Sequence, residues 1–196
     1  MLDDHIVAAL RNEEIDEVAY AWRETLGIEP FARVVEVVHL IENVLPQLQP
    51  NFSLVVEKSS NLDNVEAYTE FQPPKIVVRQ NVYLAALKYD GRARWTFAHE
   101  FGHLVLHDTA VPLHRAPEKY RNMDSIPAYV SAEKQADKFA AALLMPAWIV
   151  DEFKTAEELS FACKVSLKAA QIQMSRHGDR RTKELPEAVR RYLKRS

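Results

Sequence analysis

The sequence has only one cysteine, Cys163, and no hydrophobic run long enough to cross a bilayer. A single cysteine excludes an internal disulfide, which is typical of proteins from reducing compartments. The longest apolar run, residues 139–150, is interrupted by Pro146 and is shorter than the roughly 20 residues that a membrane helix needs. The acidic first residues lack the basic and then apolar pattern of a secretory signal. We therefore expect a cytoplasmic protein that does not enter membranes.

The sequence also has little net charge, −3 over 196 residues, but this charge is unevenly distributed. Residues 175–196 contain eight basic and three acidic side chains, so this C-terminal tail is basic. Such a tail can contact nucleic acid or an acidic partner, and it is also typical of a solvated helix end. Nothing in the tail resembles a pattern that reads bases. Direct nucleic-acid binding is therefore not expected.

The spacing of apolar residues changes twice along the chain. Helical spacing is found in six segments, residues 5–26, 30–45, 93–107, 131–145, 156–176 and 186–194. Three β-branched runs between Phe52 and Asn81 predict strands. Helices, then strands, then helices indicate an α+β fold. The segment between His107 and Ser131 holds three prolines and predicts a long loop, a common place for lids and binding loops.

Three of the seven histidines lie within one predicted helix, in the stretch RWTFAHEFGHLVLHD. His99 and His103 are four residues apart, so on a helix their imidazoles share one face and can reach a single metal ion. Glu100 stands beside the first of them, and HEFGH matches the motif H-E-x-x-H. In that motif the glutamate is the general base, and zinc suits neutral imidazole ligands. The alternative is a chance match on an ordinary buried helix, which is rare because histidine is scarce.

One residue in the motif needs an explanation of its own. Gly102 occupies a position in the middle of this helix, where glycine costs about 1 kcal/mol relative to alanine. A backbone packed closely against the helix would account for it.

A catalytic zinc site has three protein ligands, so two histidines leave one position to fill. The pattern HExxHxxGxxH does not supply it, because Leu106 and Thr109 occupy its glycine and last histidine positions. The stretch SAEKQADKFAAALLMP places Glu133 and Asp137 on or beside an apolar helical stripe. Inward carboxylates are costly unless they are paired or bind a metal. These two could instead be surface acids near a helix start at Ser131.

A nearby metal would give both carboxylates a role. Glu133 is then the preferred third ligand, and Asp137, one turn further, can accept an N–H from a metal-bound histidine and fix its orientation. His107 is rotated about 40° further around its helix than His103. Because Glu133 fills the last ligand position, we expect His107 to support the helix end, near the negative end of the helix dipole.

These stretches resemble the ImmA/IrrE family of zinc-dependent metallopeptidases, part of a wider gluzincin-like group. The resemblance is carried by HEFGHLVLH followed by EKQADKFAAALLMP, and by ELSFACKVSLKAAQIQMSRHG, which is similar to the segment after the metal helix in that family. It covers roughly residues 52–178. Gln135 is a departure, since glutamate is frequent there in the family.

The resemblance implies a fold and a set of roles. The fold is a zincin-like domain with a small, mainly antiparallel sheet packed on the HExxH helix and a second helix that bears a ligand. The cofactor is zinc, bound by His99, His103 and Glu133. Glu100 is the catalytic base, and Asp137 stands where the family has asparagine or aspartate.

The resemblance also implies a function and a domain arrangement. It implies a selective endopeptidase for a helix-turn-helix repressor or an antitoxin-like protein, which would control stress-response, mobile-element or toxin–antitoxin genes. The alternative is a zinc-binding sensor or antagonist that binds a repressor without cleaving it. We divide the chain into an N-terminal helical segment (1–50), a metallopeptidase domain (51–178) and a basic helical tail (179–196).

Peptide hydrolysis also needs a donor for the oxyanion that develops at the carbonyl. Five side chains on predicted loops or helix ends are candidates, namely His114, Tyr120, Arg121, Tyr129 and His177. The sequence does not distinguish among them.

Overall fold

The protein has an α+β fold, described by a computed structural model for residues 5–58, 65–107, 114–115, 126–178 and 190. Its strands are β1 (His5–Ile6), β2 (Ser53–Glu57), β3 (Ala67–Phe71), β4 (Pro74–Arg79) and β5 (His114–Arg115). Its α-helices are α1 (Asn12–Thr25), α2 (Val37–His39), α3 (Leu45–Leu48), α4 (Gln80–Leu87), α5 (Gly91–Leu106), α6 (Ala132–Leu144), α7 (Ala147–Val150), α8 (Ala156–Cys163) and α9 (Leu167–Gly178). The predicted fold class is confirmed.

The main sheet has the strand order β2–β4–β3. β3 and β4 are joined by only two residues, so they pair antiparallel, with Ala67 opposite Val78. β2 pairs with the other edge of β4 and runs parallel to it, with Ser53 opposite Lys75. The sheet is therefore mixed, in contrast to the mainly antiparallel sheet that the family resemblance implied.

The first two helices begin later than their apolar spacing predicts. α1 begins at Asn12, where the Glu14 carboxylate accepts the Arg11 backbone N–H at 2.7 Å. Residues 5–6 instead form β1, which pairs with β5. The second helical segment begins at α2 and continues through a π-helical turn, Leu40–Val44, into α3. Pro46 follows this π-helical turn inside the continuous helix, where its missing N–H removes one donor from the backbone hydrogen-bond pattern.

α1 packs on α6, and both helices contribute to one hydrophobic core. Ile15 and Ala19 are 2% and 0% exposed and belong to the same buried cluster as the apolar side of α6. The ammonium of Lys138 on α6 pairs with the carboxylate of Asp16, and Lys138 is itself buried. The Arg23 guanidinium donates to the carbonyl of Leu143 at 2.5 Å. Burial lowers the pKa of this guanidinium to about 10.

α5 and α6 lie close together at Gly102. A Cβ at this position would lie 3.1 Å from the carbonyl oxygen of Ala136 and 3.2 Å from its Cα. The rings of Phe101 and Phe139 flank this contact edge to face, with centroids 5.6 Å apart. A close backbone neighbour, which would explain a glycine in this position, is therefore present, and the histidine face of α5 lies against the first turns of α6.

The turn between α8 and α9 is fixed to α5. The buried Arg94 donates from Nε to the carbonyl of Lys164 at 2.9 Å. A Cβ at Gly91 would lie 2.5 Å from the carbonyl carbon of Val165, so the start of α5 accepts only glycine here. Cys163 ends α8 with 0% exposure, and burial raises the pKa of its thiol to about 11.

We expect Gly102→Ala to destabilise the fold, although alanine favours helix by about 1 kcal/mol. The added methyl group would push α5 from α6, and overpacking of this kind costs about 1–3 kcal/mol. Urea unfolding would measure the net loss. Gly91→Ala is the comparison, because it meets backbone at a shorter distance and should lose more. Stability of Gly102→Ala equal to or above that of the wild type would contradict the role of this contact.

Candidate metal centre

The two histidines of the motif lie on one face of α5. The helix starts at Asp90, whose carboxylate accepts the Ala93 N–H at 2.9 Å, and this start sets the register of the residues that follow. His99 and His103 have side chains 16% and 15% exposed. Their Nε2 atoms are 2.9 Å apart. The predicted pair is therefore assembled with both Nε2 atoms aimed at one point.

Glu133 reaches the same point from the first turn of α6. That helix starts at Ser131, whose hydroxyl oxygen accepts the Lys134 N–H at 3.1 Å. Oε2 of Glu133 is 3.2 Å from Nε2 of His99, and Oε1 is 3.4 Å from Nε2 of His103. We call these two nitrogens and the Glu133 carboxylate the ligand triangle. Among the described residues, they are the group whose ligand atoms could hold a metal ion.

The ligand triangle is close to the dimensions of a zinc site, with its two Nε2 atoms somewhat nearer to each other than zinc would hold them. Zinc bonds of 2.0–2.2 Å in tetrahedral geometry place neighbouring ligand atoms about 3.3–3.5 Å apart. The distances across the triangle are 2.9, 3.2 and 3.4 Å. Two imidazoles and one carboxylate also form a donor set of a catalytic zinc site with one position left for a water or substrate. The residues therefore fit zinc in both spacing and chemistry.

Asp137 fixes the orientation of His99 from the side away from the ligand triangle. The N–H at Nδ1 of His99 donates to Oδ1 of Asp137 at 2.9 Å, and the Trp95 indole N–H donates to the same oxygen at 3.3 Å. With the proton on Nδ1, Nε2 of His99 presents its lone pair to a metal. This is the contact expected for Asp137 from the sequence.

The charges of the ligand triangle are strongly coupled when no metal is bound. Burial alone would lower the pKa of His99. The carboxylates of Asp137 and Glu133 accept hydrogen bonds from its ring, and this effect outweighs burial and raises that pKa to about 10. Burial raises the pKa of Glu133, but its bonds with His103 and His99 hold that pKa far below the usual range. A metal ion must therefore displace a proton from this site.

His107 and Gln135 fix the second histidine. The amide nitrogen of Gln135 donates to the carbonyls of Ala8 and Tyr129, both at 2.9 Å, so its Oε1 is the atom that accepts from Nε2 of His107 at 3.1 Å. Nδ1 of His107 then accepts the N–H at Nδ1 of His103, 3.1 Å away. This assignment of protons leaves the lone pair of His103 Nε2 for a metal.

His107 is thus a support for a ligand and lies outside the ligand triangle, as its helical position predicts. Burial, followed by the charge at His103, lowers the pKa of His107 to about 4, so its ring is neutral at neutral pH. The role of Gln135 was missed by sequence reasoning. Its only signal was that a neutral amide replaces a residue that is often glutamate in similar proteins.

Glu100 is fixed by a residue from the sheet. Its carboxylate is buried, and the hydroxyl oxygen of Thr69 lies 2.8 Å from Oε2 and 2.9 Å from the Glu100 carbonyl oxygen. Thr69 belongs to β3, the strand at the edge of the sheet beside α5. Sequence reasoning missed Thr69, because a threonine in a predicted strand, 31 residues before Glu100, carries no pattern that points to the motif.

The candidates for an oxyanion donor are only partly described. His177 pairs instead with Asp151, with 2.7 Å between Nε2 and Oδ1. Tyr129 is 57% exposed, and neither residue is part of the ligand triangle. The side chains of His114, Tyr120 and Arg121 lie outside the described residues, as does most of the predicted loop at 108–130 and, apart from Arg190, the tail at 179–196.

Comparison with known proteins adds one match. A model of the IrrE N-terminal-like domain, the Peptidase M78 family, matches residues 53–175. The chain belongs to this family. The match runs from β2 into α9 and includes all three residues of the ligand triangle, and the family indicates a zinc metallopeptidase. No curated protein gives a significant match to the chain.

Among the described helices, none is long and apolar enough to cross a membrane.

We expect the purified protein to bind about one zinc ion per chain. His99→Ala and Glu133→Ala should each lose it, because each removes one of three ligands. His107→Ala is the matched control: it removes an imidazole from the same helix but leaves the ligand triangle intact, so the bound zinc should remain, with weaker affinity. Metal analysis after dialysis measures these contents. Equal loss in the His107 and His99 variants would show that the ligands are assigned wrongly.

Zinc affinity should continue to rise with pH at values above the ordinary pKa of histidine. The pKa of His99 is raised to about 10, so near neutral pH the metal-free site holds a proton that zinc displaces. Each pH unit between 7 and 8.5 should therefore tighten the apparent Kd by about tenfold for one displaced proton. Competition with a chelator whose own pH dependence is known measures the slope. Asp137→Asn should flatten it, and a flat wild-type slope contradicts the raised pKa.

Proposed function

We propose that the protein is a zinc-dependent endopeptidase, with zinc held by His99, His103 and Glu133 and with Glu100 as the general base. The observation that carries the proposal is the ligand triangle, whose spacing suits tetrahedral zinc and whose first histidine is followed directly by a buried glutamate. Membership of the Peptidase M78 family supports it.

Glu100 moves the proton in this proposal. When bound, zinc supplies a Lewis acid that acidifies water and polarises the scissile carbonyl. Glu100 accepts a proton from the attacking water as the water oxygen bonds to the carbonyl carbon. It then delivers the proton to the amine nitrogen as the C–N bond breaks. Thr69 holds Oε2 at 2.8 Å, which leaves Oε1 to carry the proton.

The surrounding residues keep the charge of the site suited to this reaction. Asp137 and His107 orient the two imidazoles by hydrogen bonds at their Nδ1 atoms. One carboxylate and two neutral imidazoles leave a divalent ion with a net positive charge, which favours the negative oxygen that develops during hydrolysis.

We further propose that the substrate is a specific protein, a helix-turn-helix repressor or an antitoxin-like protein. The support for this substrate is the resemblance of HEFGHLVLH and EKQADKFAAALLMP to the ImmA/IrrE family. A role in stress-response or toxin–antitoxin regulation would follow from cleavage of such a repressor.

Incubation of the zinc-loaded protein with the repressor encoded nearest to its gene tests the proposal. We expect discrete fragments, and none in the presence of a chelator. Glu100→Gln should keep its zinc and lose cleavage by at least about 100-fold, because a positioned base contributes 10²–10⁴-fold. Mass spectrometry of the fragments measures the cleavage. Unchanged cleavage by this variant excludes Glu100 as the base.

Two further results sharpen the test. Thr69→Ser keeps a hydroxyl beside Glu100 and should retain most activity, whereas Thr69→Val removes it and should lower kcat with zinc content unchanged. Tight binding of the repressor without fragments, in wild type and Glu100→Gln alike, would favour the sensor or antagonist that holds its partner without cleaving it.

A further inference from the structure

A cavity of about 290 Å³ lies where α5, α6 and α9 meet, beside the candidate metal centre. Asp137 lines this cavity and also accepts the N–H of His99 at 2.9 Å. Trp95, which donates to the same carboxylate, forms another part of its wall. The cavity therefore begins one hydrogen bond away from His99, a ligand of the proposed zinc site.

Basic side chains dominate the charge of this cavity. Arg92, Lys168 and Arg176 line it, and Asp137 is the acidic residue among its described lining. Arg92 is partly neutralised by Glu66, 2.7 Å away. Lys168 and Arg176 are exposed, and neither forms an ion pair with a described acidic residue. Since the Asp137 carboxylate already accepts two N–H groups, the cavity favours a negatively charged occupant.

The rest of the lining is mostly apolar, with Ser166 and Gln173 as its polar residues. Ala141, Ala169 and Ile172 supply hydrocarbon surface beside the Trp95 ring. The buried Gln173 also lines the cavity, and its amide donates to the carbonyl of Met145 at 3.0 Å. A bare inorganic anion would gain nothing from such walls. A carboxylate on a short hydrocarbon stem can use both the apolar walls and the basic residues.

We propose that this cavity is a substrate subsite that receives a glutamate or aspartate side chain close to the scissile bond. The inference rests on the proposed peptidase function, because it places that bond at the ligand triangle. Lys168 and Arg176 on α9 bind the carboxylate, and the apolar walls enclose its methylene groups. The specificity of the enzyme thereby comes from α9, whereas its chemistry comes from α5 and α6.

A binding experiment tests the subsite without any cleavage. The metal-free protein is titrated with acetyl-Ala-Glu-Ala-amide and with the neutral acetyl-Ala-Gln-Ala-amide, and the Trp95 indole N–H is followed by NMR after its assignment with Trp95→Phe. We expect the glutamate peptide to shift this resonance saturably and to bind about tenfold more tightly than the glutamine peptide. Higher salt should weaken the binding.

Charge reversal provides the matched control. The double variant Lys168→Glu/Arg176→Glu should lose the preference for the glutamate peptide. Lys58→Glu/Lys88→Glu changes the net charge equally at two exposed positions outside the cavity and should keep it. Equal binding of the two peptides by the wild type, or the same loss in both double variants, would overturn the subsite.

Cleavage of a peptide mixture separates the subsite from the proposed function. The zinc-loaded wild type should cut peptides with acidic residues enriched at one position beside the cleaved bond, and Lys168→Glu/Arg176→Glu should shift that position to lysine or arginine. An unchanged profile in the variant would overturn the subsite while the peptidase stands. Glutamate-selective binding at Trp95 with no zinc-dependent cleavage would keep the cavity as a binding site for acidic side chains and reject the peptidase.

Discussion

The contact of Gly102 with the backbone of Ala136 is the constraint on which the candidate metal centre depends. Two residues of the ligand triangle come from α5 and the third from α6, so the distance between the helices decides whether their atoms could share one ion. A Cβ at residue 102 would lie only 3.1 Å from the Ala136 carbonyl oxygen, so glycine permits the short distance between the two helices in the packed core. A site assembled in this way needs little rearrangement to accept a metal, which reduces the cost of binding.

Hydrogen bonds at the Nδ1 atoms of His99 and His103 also prepare the ligand triangle for a metal, because they fix the orientation of both rings. Each imidazole is held through Nδ1, His99 by an aspartate and His103 by a second histidine. The second of these chains continues through Gln135 to the carbonyls of Ala8 and Tyr129, so the orientation of one ligand depends on backbone far along the chain. The N-terminal strand and the turn before α6 are therefore part of the support for the metal centre.

The local part of the site could be predicted from sequence, because helical geometry alone relates its residues. His99, Glu100 and His103 share a single helix, and a carboxylate needing a partner inside a second apolar helix pointed to Glu133. Thr69 and Gln135 could not be predicted in this way. Each acts through a contact that only the packing of separate elements creates, and neither residue type is distinctive where it stands in the sequence.

Contacts between distant segments also explain where the fold differs from the one predicted by sequence. The start of α1 at Asn12 and the pairing of β1 depend on β5, a strand more than 100 residues away, so the apolar spacing of residues 5–10 was not sufficient. The parallel pairing of β2 with β4 likewise depends on the position of β4 as the central strand, between β2 and β3. The spacing of apolar residues shows which face of a helix or strand is apolar, but it does not show which other element packs on that face.

The buried Cys163 has a practical consequence for work on this protein. It is the chain's single cysteine, it is fully enclosed, and its raised thiol pKa leaves almost no reactive thiolate near neutral pH. Cysteines introduced one at a time on the surface can therefore be labelled with fluorophores or spin probes above a silent background. The distance between α9 and α5 can then be measured in the native chain, with no need to replace any residue of its core.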